Sequence, residues 1–179
     1  SSTTGTAMAG STSTPPDEAP RPVETTLASI AEQVEAIDAL VDRARARLRV
    51  FDVDLSQGGW HTADRAERLV AFLRRARGAR VEIIVHDTRY LEQSCARLIV
   101  VLRQYGHAIT VYRTGVEARK ALDPLVIADD RHFLHRFHVD GPRAALAFDA
   151  PLAARPLVTR FEEIWATGEP GLSGTVLGL

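Results

Sequence analysis

The segment VEIIVHD, residues 81–87, is an almost unbroken apolar run, too short for a helix and rich in β-branched side chains. Such a run is a strand covered on both faces, which in practice means the interior of a parallel sheet packed between layers. Its neighbours agree. LRVFDVDL, 48–55, and AITVYRT, 108–114, have the composition of strands, and helical patterns separate the three. Strand, helix, strand, helix, strand at this spacing calls for right-handed crossovers and a parallel core sheet.

The rest of the chain is arranged around that core. TTLASIAEQVEAIDALVDRARARL places Leu27, Ile30, Val34, Ile37 and Val41 on one helical face, so order is expected from about Thr25. Thr62 suits the N-cap of ADRAERLVAFLRRARG, and Gly78 its end. Asp87 or Thr88 is expected to cap a helix that buries Leu91, Cys95, Leu98, Ile99 and Leu102. After the third strand the pattern changes. PLVIAD and HFLHRFH read as a hairpin turning at Asp129–Asp130–Arg131, followed by a short link to the strand ALAFD, 145–149. A closing helix carries Leu157, Phe161, Ile164 and Trp165 inward, and Pro156 is best placed in its first turn, so a start near Arg155 is expected. The expectation is an α/β domain over 25–168, a three-layer mixed sheet with a parallel βαβαβ core and an antiparallel hairpin. Residues 1–24, rich in Ser, Thr, Pro and Gly, are expected to be a disordered tail, and the Gly-rich 169–179 a flexible one.

Bulk properties exclude several classes. A net charge of −1 gives no global field for polyanions or anionic membranes. One cysteine, Cys95, excludes an internal disulfide and a thiolate zinc site; on an apolar helix face it reads as a small buried hydrophobe. No apolar run approaches the ~20 residues of a membrane span. Residues 1–24 lack both the basic start and the apolar core of a secretory signal, so a cytoplasmic protein is expected. There is no P-loop, dinucleotide fingerprint or serine elbow.

The order helix, RLRVFDVDL, helix, VEIIVHD, helix, ITVYRT, hairpin, strand, then FDAPLAARPLVTRFEEIW resembles one half of a phospholipase D-like protein, over residues 26–168. Asp149, Pro151, Ala153 or Ala154, Leu157, Phe161 and Trp165 follow the closing pattern of that superfamily, in particular that of an uncharacterised bacterial group without the catalytic signature. The superfamily's chemistry rests on HxKxxxxD, whose histidine attacks phosphorus and whose lysine holds a non-bridging oxygen. Here the motif is missing. With Asp129 as its acid, lysine would stand at Pro124 and histidine at Leu122; Asp130 would require Leu125 and Asp123, and Asp140 would require His135 and Phe133. The basic residues are 21 arginines and a single lysine, Lys120, and the residue two before it is Ala118. None of the six histidines has a cation two positions on. The resemblance therefore implies the fold without its phosphohistidine chemistry. It also implies a homodimer or a partner half, because sites in the superfamily are built by two halves that face each other.

Two constellations remain as candidate sites. His132, His135 and His138 crowd one stretch. On a strand, His132 and His138 lie about 20 Å apart by extended rise, too far to share a metal ion, so they read as polar residues of a hairpin edge. His135 reads as a partly buried ring between Phe133 and Phe137, or as part of an anion pocket with Arg136. The second constellation is topological. Ligands of open α/β sheets bind beyond the carboxyl ends of the strands, which here carry Asp52 and Asp54, His86 and Asp87, and Arg113. Arg113, if drawn inward, needs a carboxylate, and Asp54 or Asp87 is expected to lock it. RARARLR and RRARGAR contain no aromatic residue for base stacking and read as solvated helix ends, so nucleic acid is not expected as a ligand. Trp60 reads as a loop anchor on the core. The expectation is a non-catalytic binding or interaction module with no cofactor and no metal. The alternative is a phosphodiesterase or nuclease-type hydrolase using His86 or His135 with strand-end acids.

Overall fold

A computed structural model describes residues 1–7, 10 and 24–178. The expected N-terminal tail falls largely outside the described residues. The elements run β1 (Glu24–Leu27), α1 (Ile30–Arg43), β2 (Arg47–Asp52), α2 (Ala63–Arg75), β3 (Arg80–Val85), α3 (Arg89–Ser94), α4 (Ala96–Gln104), β4 (Ile109–Arg113), a 3-10 turn (Glu117–Lys120), β5 (Leu125–Ala128), β6 (His132–Arg136), β7 (Ala144–Ala147), α5 (Pro151–Ala166) and β8 (Glu169–Pro170). One mixed sheet has the order β1-β7-β6-β5-β2-β3-β4-β8. Its β2-β3-β4 core is parallel and every other pairing is antiparallel.

The pleat divides the core into two clusters. Leu48, Val50, Ile83 and Leu134 point to the layer of α1, α2 and α4, where they meet Leu40, Leu69 and Leu98. Phe51, Ile84, Leu125 and Phe133 point the other way, onto Phe161 and Ile164 of α5. The three-layer mixed α/β arrangement read from the sequence is therefore present. Thr62 caps α2 as anticipated, its Oγ1 accepting from Arg65 N at 3.1 Å, and Ser29 caps α1 in the same way. Asp129 and Asp130 both have φ of 55°, the left-handed conformation that the tight β5–β6 turn needs.

Several elements depart from expectation. Leu27 does not belong to α1 but ends β1, which pairs with β7. The third helix is interrupted at Cys95 (φ −109°, ψ 50°); of the two expected caps Asp87 reaches α3, its Oδ1 accepting from Arg89 N at 2.8 Å, while Thr88 makes no side-chain cap bond. The closing helix starts at Pro151, not near Arg155, and keeps Pro156 inside. The Gly-rich end is pinned: Glu169–Pro170 pairs with β4, Leu172 is buried, and Val176 O accepts from Arg103 Nε at 2.8 Å. Among the described residues no helix is long and apolar enough to cross a membrane.

Candidate functional site

The strands deliver the expected residues to one edge. β2 and β4 end there at Asp52 and Arg113, and β3 ends just before His86. The antiparallel register adds the start of β5 and the end of β6, because Phe51 pairs with Leu125 and Leu125 with His135. The pleat then splits this edge into two nests on opposite faces of the sheet. His135 and Arg136, neighbours on one strand, point to opposite layers. They therefore do not line a common anion pocket.

On the α1–α2 face, Arg136 is buried. Its Nε donates to Gly141 O and its Nη2 to Val139 O, both at 2.7 Å, while Nη1 donates to Gln57 Oε1 at 2.5 Å. Gln33 Nε2 donates to Pro142 O at 2.5 Å and holds the same loop. Between Arg136, Gln57, Trp60 and Pro124 lies a small cavity of about 20 Å³, with Asp52 in its wall. That is room for a single water molecule. Asp52 Oδ1 accepts from Val53 N at 2.6 Å. Burial pushes its carboxyl up to about 6, Asp54 adds to the shift, and Arg136 and the Val53 N–H oppose it. Trp60 is buried as a loop anchor, with the Arg65 guanidinium 4.6 Å from its ring centroid.

On the α5 face, His86 packs edge-on to Phe51 and both its ring nitrogens are engaged. Nε2 lies 2.7 Å from Ala121 O, and Nδ1 lies 2.7 Å from Thr114 Oγ1. A carbonyl only accepts, so Nε2 carries a proton, and Nδ1 shares a hydrogen bond with the Thr114 hydroxyl. His86 is a strut between these two elements. His135 Nε2 lies 2.8 Å from Asp123 Oδ2, and Arg160 Nε donates to that same oxygen at 2.8 Å and forms a second bond to Oδ1. Burial raises the Asp123 carboxyl, but the bonds from His135 and Arg160 outweigh it and leave the group below its ordinary value. Phe137 stands edge-on to His135.

The remaining candidates are spent locally or left free. Asp54 accepts from Ser56 N and Oγ, at 3.0 and 2.7 Å. Asp87 pairs with Arg89 at 2.6 Å, and this holds its carboxyl below the ordinary range. Arg113 is therefore not locked by either acid. It is exposed at the end of β4, where only the two-residue β8 covers the strand, and it makes no ion pair among the described residues. His132 is no edge residue either: β6 is interior to the sheet, and His132 is buried with Nδ1 accepting from Asp149 N at 2.8 Å. Among the described residues no three His, Cys, Asp or Glu side chains converge as metal ligands.

With Asp129 as the motif's acid, its lysine and histidine positions are Pro124 and Leu122. Pro124 lines the small cavity, and Leu122 is exposed. Asp129 lies at the other end of β5, where its carboxylate accepts from the N–H groups of Arg45, Ala46 and Arg47 at 2.8–3.0 Å. Sequence reasoning missed Asp123 and Arg160. The turn at 129–131 carries the signal for Asp123, because it fixes the hairpin register and sets 123 one same-face step from the Leu125–His135 pair. For Arg160, on α5, only the packing of that helix supplies one.

A mixed sheet of this order, with the closing helix on its far face, is the fold of phospholipase D-family proteins. Nuc from Salmonella typhimurium, a phospholipase D family member, superposes with a TM-score of 0.62 at 15% identity, over 86% of this chain and all of that one (100%). NucT from Helicobacter pylori gives 0.54 at 14% identity, over 85% and 100%. TrmBL2, an archaeal chromatin protein whose structure shows a novel mode of DNA binding, gives 0.62 at 13% identity, and the match spans 87% of this chain but 56% of TrmBL2. At such identities the likeness is one of fold. By sequence, the chain belongs to the family described as Domain of unknown function (DUF7931), whose model matches residues 29–173. No curated protein matches the sequence.

Proposed function

We propose that this domain is a non-catalytic phospholipase D-like module of the bacterial cytoplasm, which works by binding or by association with a second copy or a partner half. One observation carries the reading. With Asp129 as the motif's acid, the superfamily's histidine and lysine would fall at Leu122 and Pro124, and Pro124 faces a cavity of about 20 Å³ walled by a carboxylate. A phosphoryl group neither fits that space nor finds a cation in place of the lysine, and ionised Asp52 repels it. Arg136, the one guanidinium at the cavity, is held by three bonds, from Nε, Nη1 and Nη2 to Gly141, Gln57 and Val139.

A second reading, a phosphodiesterase or nuclease-type hydrolase, has one observation in its favour. His135 is partly exposed and held by Asp123, which is how a carboxylate orients a general base. DNA comes in as a ligand class through the archaeal neighbour, against the expectation from charge. The readings separate in one experiment. Under the proposal, protein at high concentration does not hydrolyse bis(p-nitrophenyl) phosphate above buffer, and His86→Ala and His135→Ala change nothing. Turnover abolished by His135→Ala establishes the hydrolase instead. Retardation of a DNA duplex at physiological salt identifies DNA as the bound partner.

A further inference from the structure

The helices α2 and α4 leave an apolar groove of about 570 Å³ on the outer face of their layer. Its floor is Ala66 and Val101, both buried, and Val70 lines it between them. Val100 stands on its wall 57% exposed, one of the few large apolar side chains the described surface shows to water. The two walls have matching spacing. On α2, Glu67 and Arg74 are seven residues apart with Val70 between them; on α4, Arg97 and Gln104 are seven apart with Val100 between them. Seven residues are two helical turns, so each wall presents a polar residue, an apolar knob and a polar residue along one stripe. Glu67 and Arg97 make no ion pair among the described residues, and Arg74 bonds only to Tyr105 OH, at 3.3 Å.

We infer that this groove is the contact between two copies of the chain. The charges of the two walls are complementary under two-fold symmetry. An isologous contact sets a patch against itself. When the two-fold axis runs along the helices, α2 of one copy faces α4 of the other at the same height. Glu67 then meets Arg97 of the second copy, Arg74 meets Gln104, and the valines meet at the centre. Both ends of the stripe are satisfied twice, and no like charges are opposed. A foreign helix would have to bring that same pattern, whereas a second copy brings it by construction. This inference deepens the reading that the module works by association, and it assigns a face to it.

Sedimentation of the full chain across micromolar concentrations tests the assignment. The expected result is a dimer whose dissociation constant rises at least tenfold in Val100→Asp and in Glu67→Arg. In the double variant Glu67→Arg/Arg97→Glu the affinity should be recovered to within a few-fold. That recovery distinguishes an interface from a folding defect, and circular dichroism of each single variant serves as a second check. A dimer indifferent to all three variants overturns this face while leaving association itself standing. A wild-type chain that stays monomeric overturns both.

Discussion

Asp52 is the residue at which fold and charge are in conflict. It lies in the wall of a small cavity and accepts from Val53 N, and burial raises its carboxyl from 3.8 to about 6. A raised carboxyl means the folded state holds the proton more tightly than the unfolded chain. Its contribution is therefore most favourable below the unfolded value, falls as pH rises from about 4 to about 6, and is unfavourable and constant above that. Two units correspond to about 3 kcal/mol, and partial exposure reduces that. Asp52→Asn keeps the acceptor for Val53 N–H and removes the charge. The expected outcome is a gain of about 1–2 kcal/mol in urea denaturation at pH 7, shrinking towards zero at pH 4. A variant less stable than wild type at pH 7 would show that the ionised form is held by Arg136 more strongly than burial opposes it. Asp52 was legible as a strand-end acid. Its strain was not, because that depends on which layer closes over it.

At the scale of elements, the alternating apolar patterns were sufficient to place the parallel core, the hairpin and the closing helix. They failed where tertiary contact overrides a local rule. Pro156 removes one helical hydrogen bond, yet α5 starts a full turn earlier because burying Ala154, Phe161 and Ile164 outweighs the loss. The bond it forfeits would have used Leu152 O, and Leu152 is exposed. β1 and β8 are too short to show a period at all, and only their partners β7 and β4 define them. Asp129 ties two elements together from a turn. It tolerates its positive φ and caps the three N–H groups at the α1–β2 junction. Asp129→Ala loses both, and about 2–3 kcal/mol of stability should go with them, read as a lower urea midpoint with an unchanged slope. Asp129→Asn, which keeps the φ tolerance and one acceptor, should lose about half as much. An alanine variant within 0.5 kcal/mol of wild type, a size typical of neutral surface changes, would contradict this account of the junction.

At the scale of the whole molecule, the fold is that of phospholipase D-family proteins, and several of the chain's histidines are bonded within it. His86 is wedged between Thr114 and Ala121, His132 holds the start of the closing segment, and His135 is held by Asp123. The absence of the motif was legible from the sequence. The fate of the histidines was not, because their partners lie in other elements. The central claim, that no histidine here is a phosphoryl acceptor, is tested most directly by rapid quenching during prolonged incubation with an activated phosphodiester, followed by intact-mass and peptide analysis. The account predicts no phosphoryl adduct on any of the six histidines. A covalent phosphohistidine, at His135 above all, would contradict it.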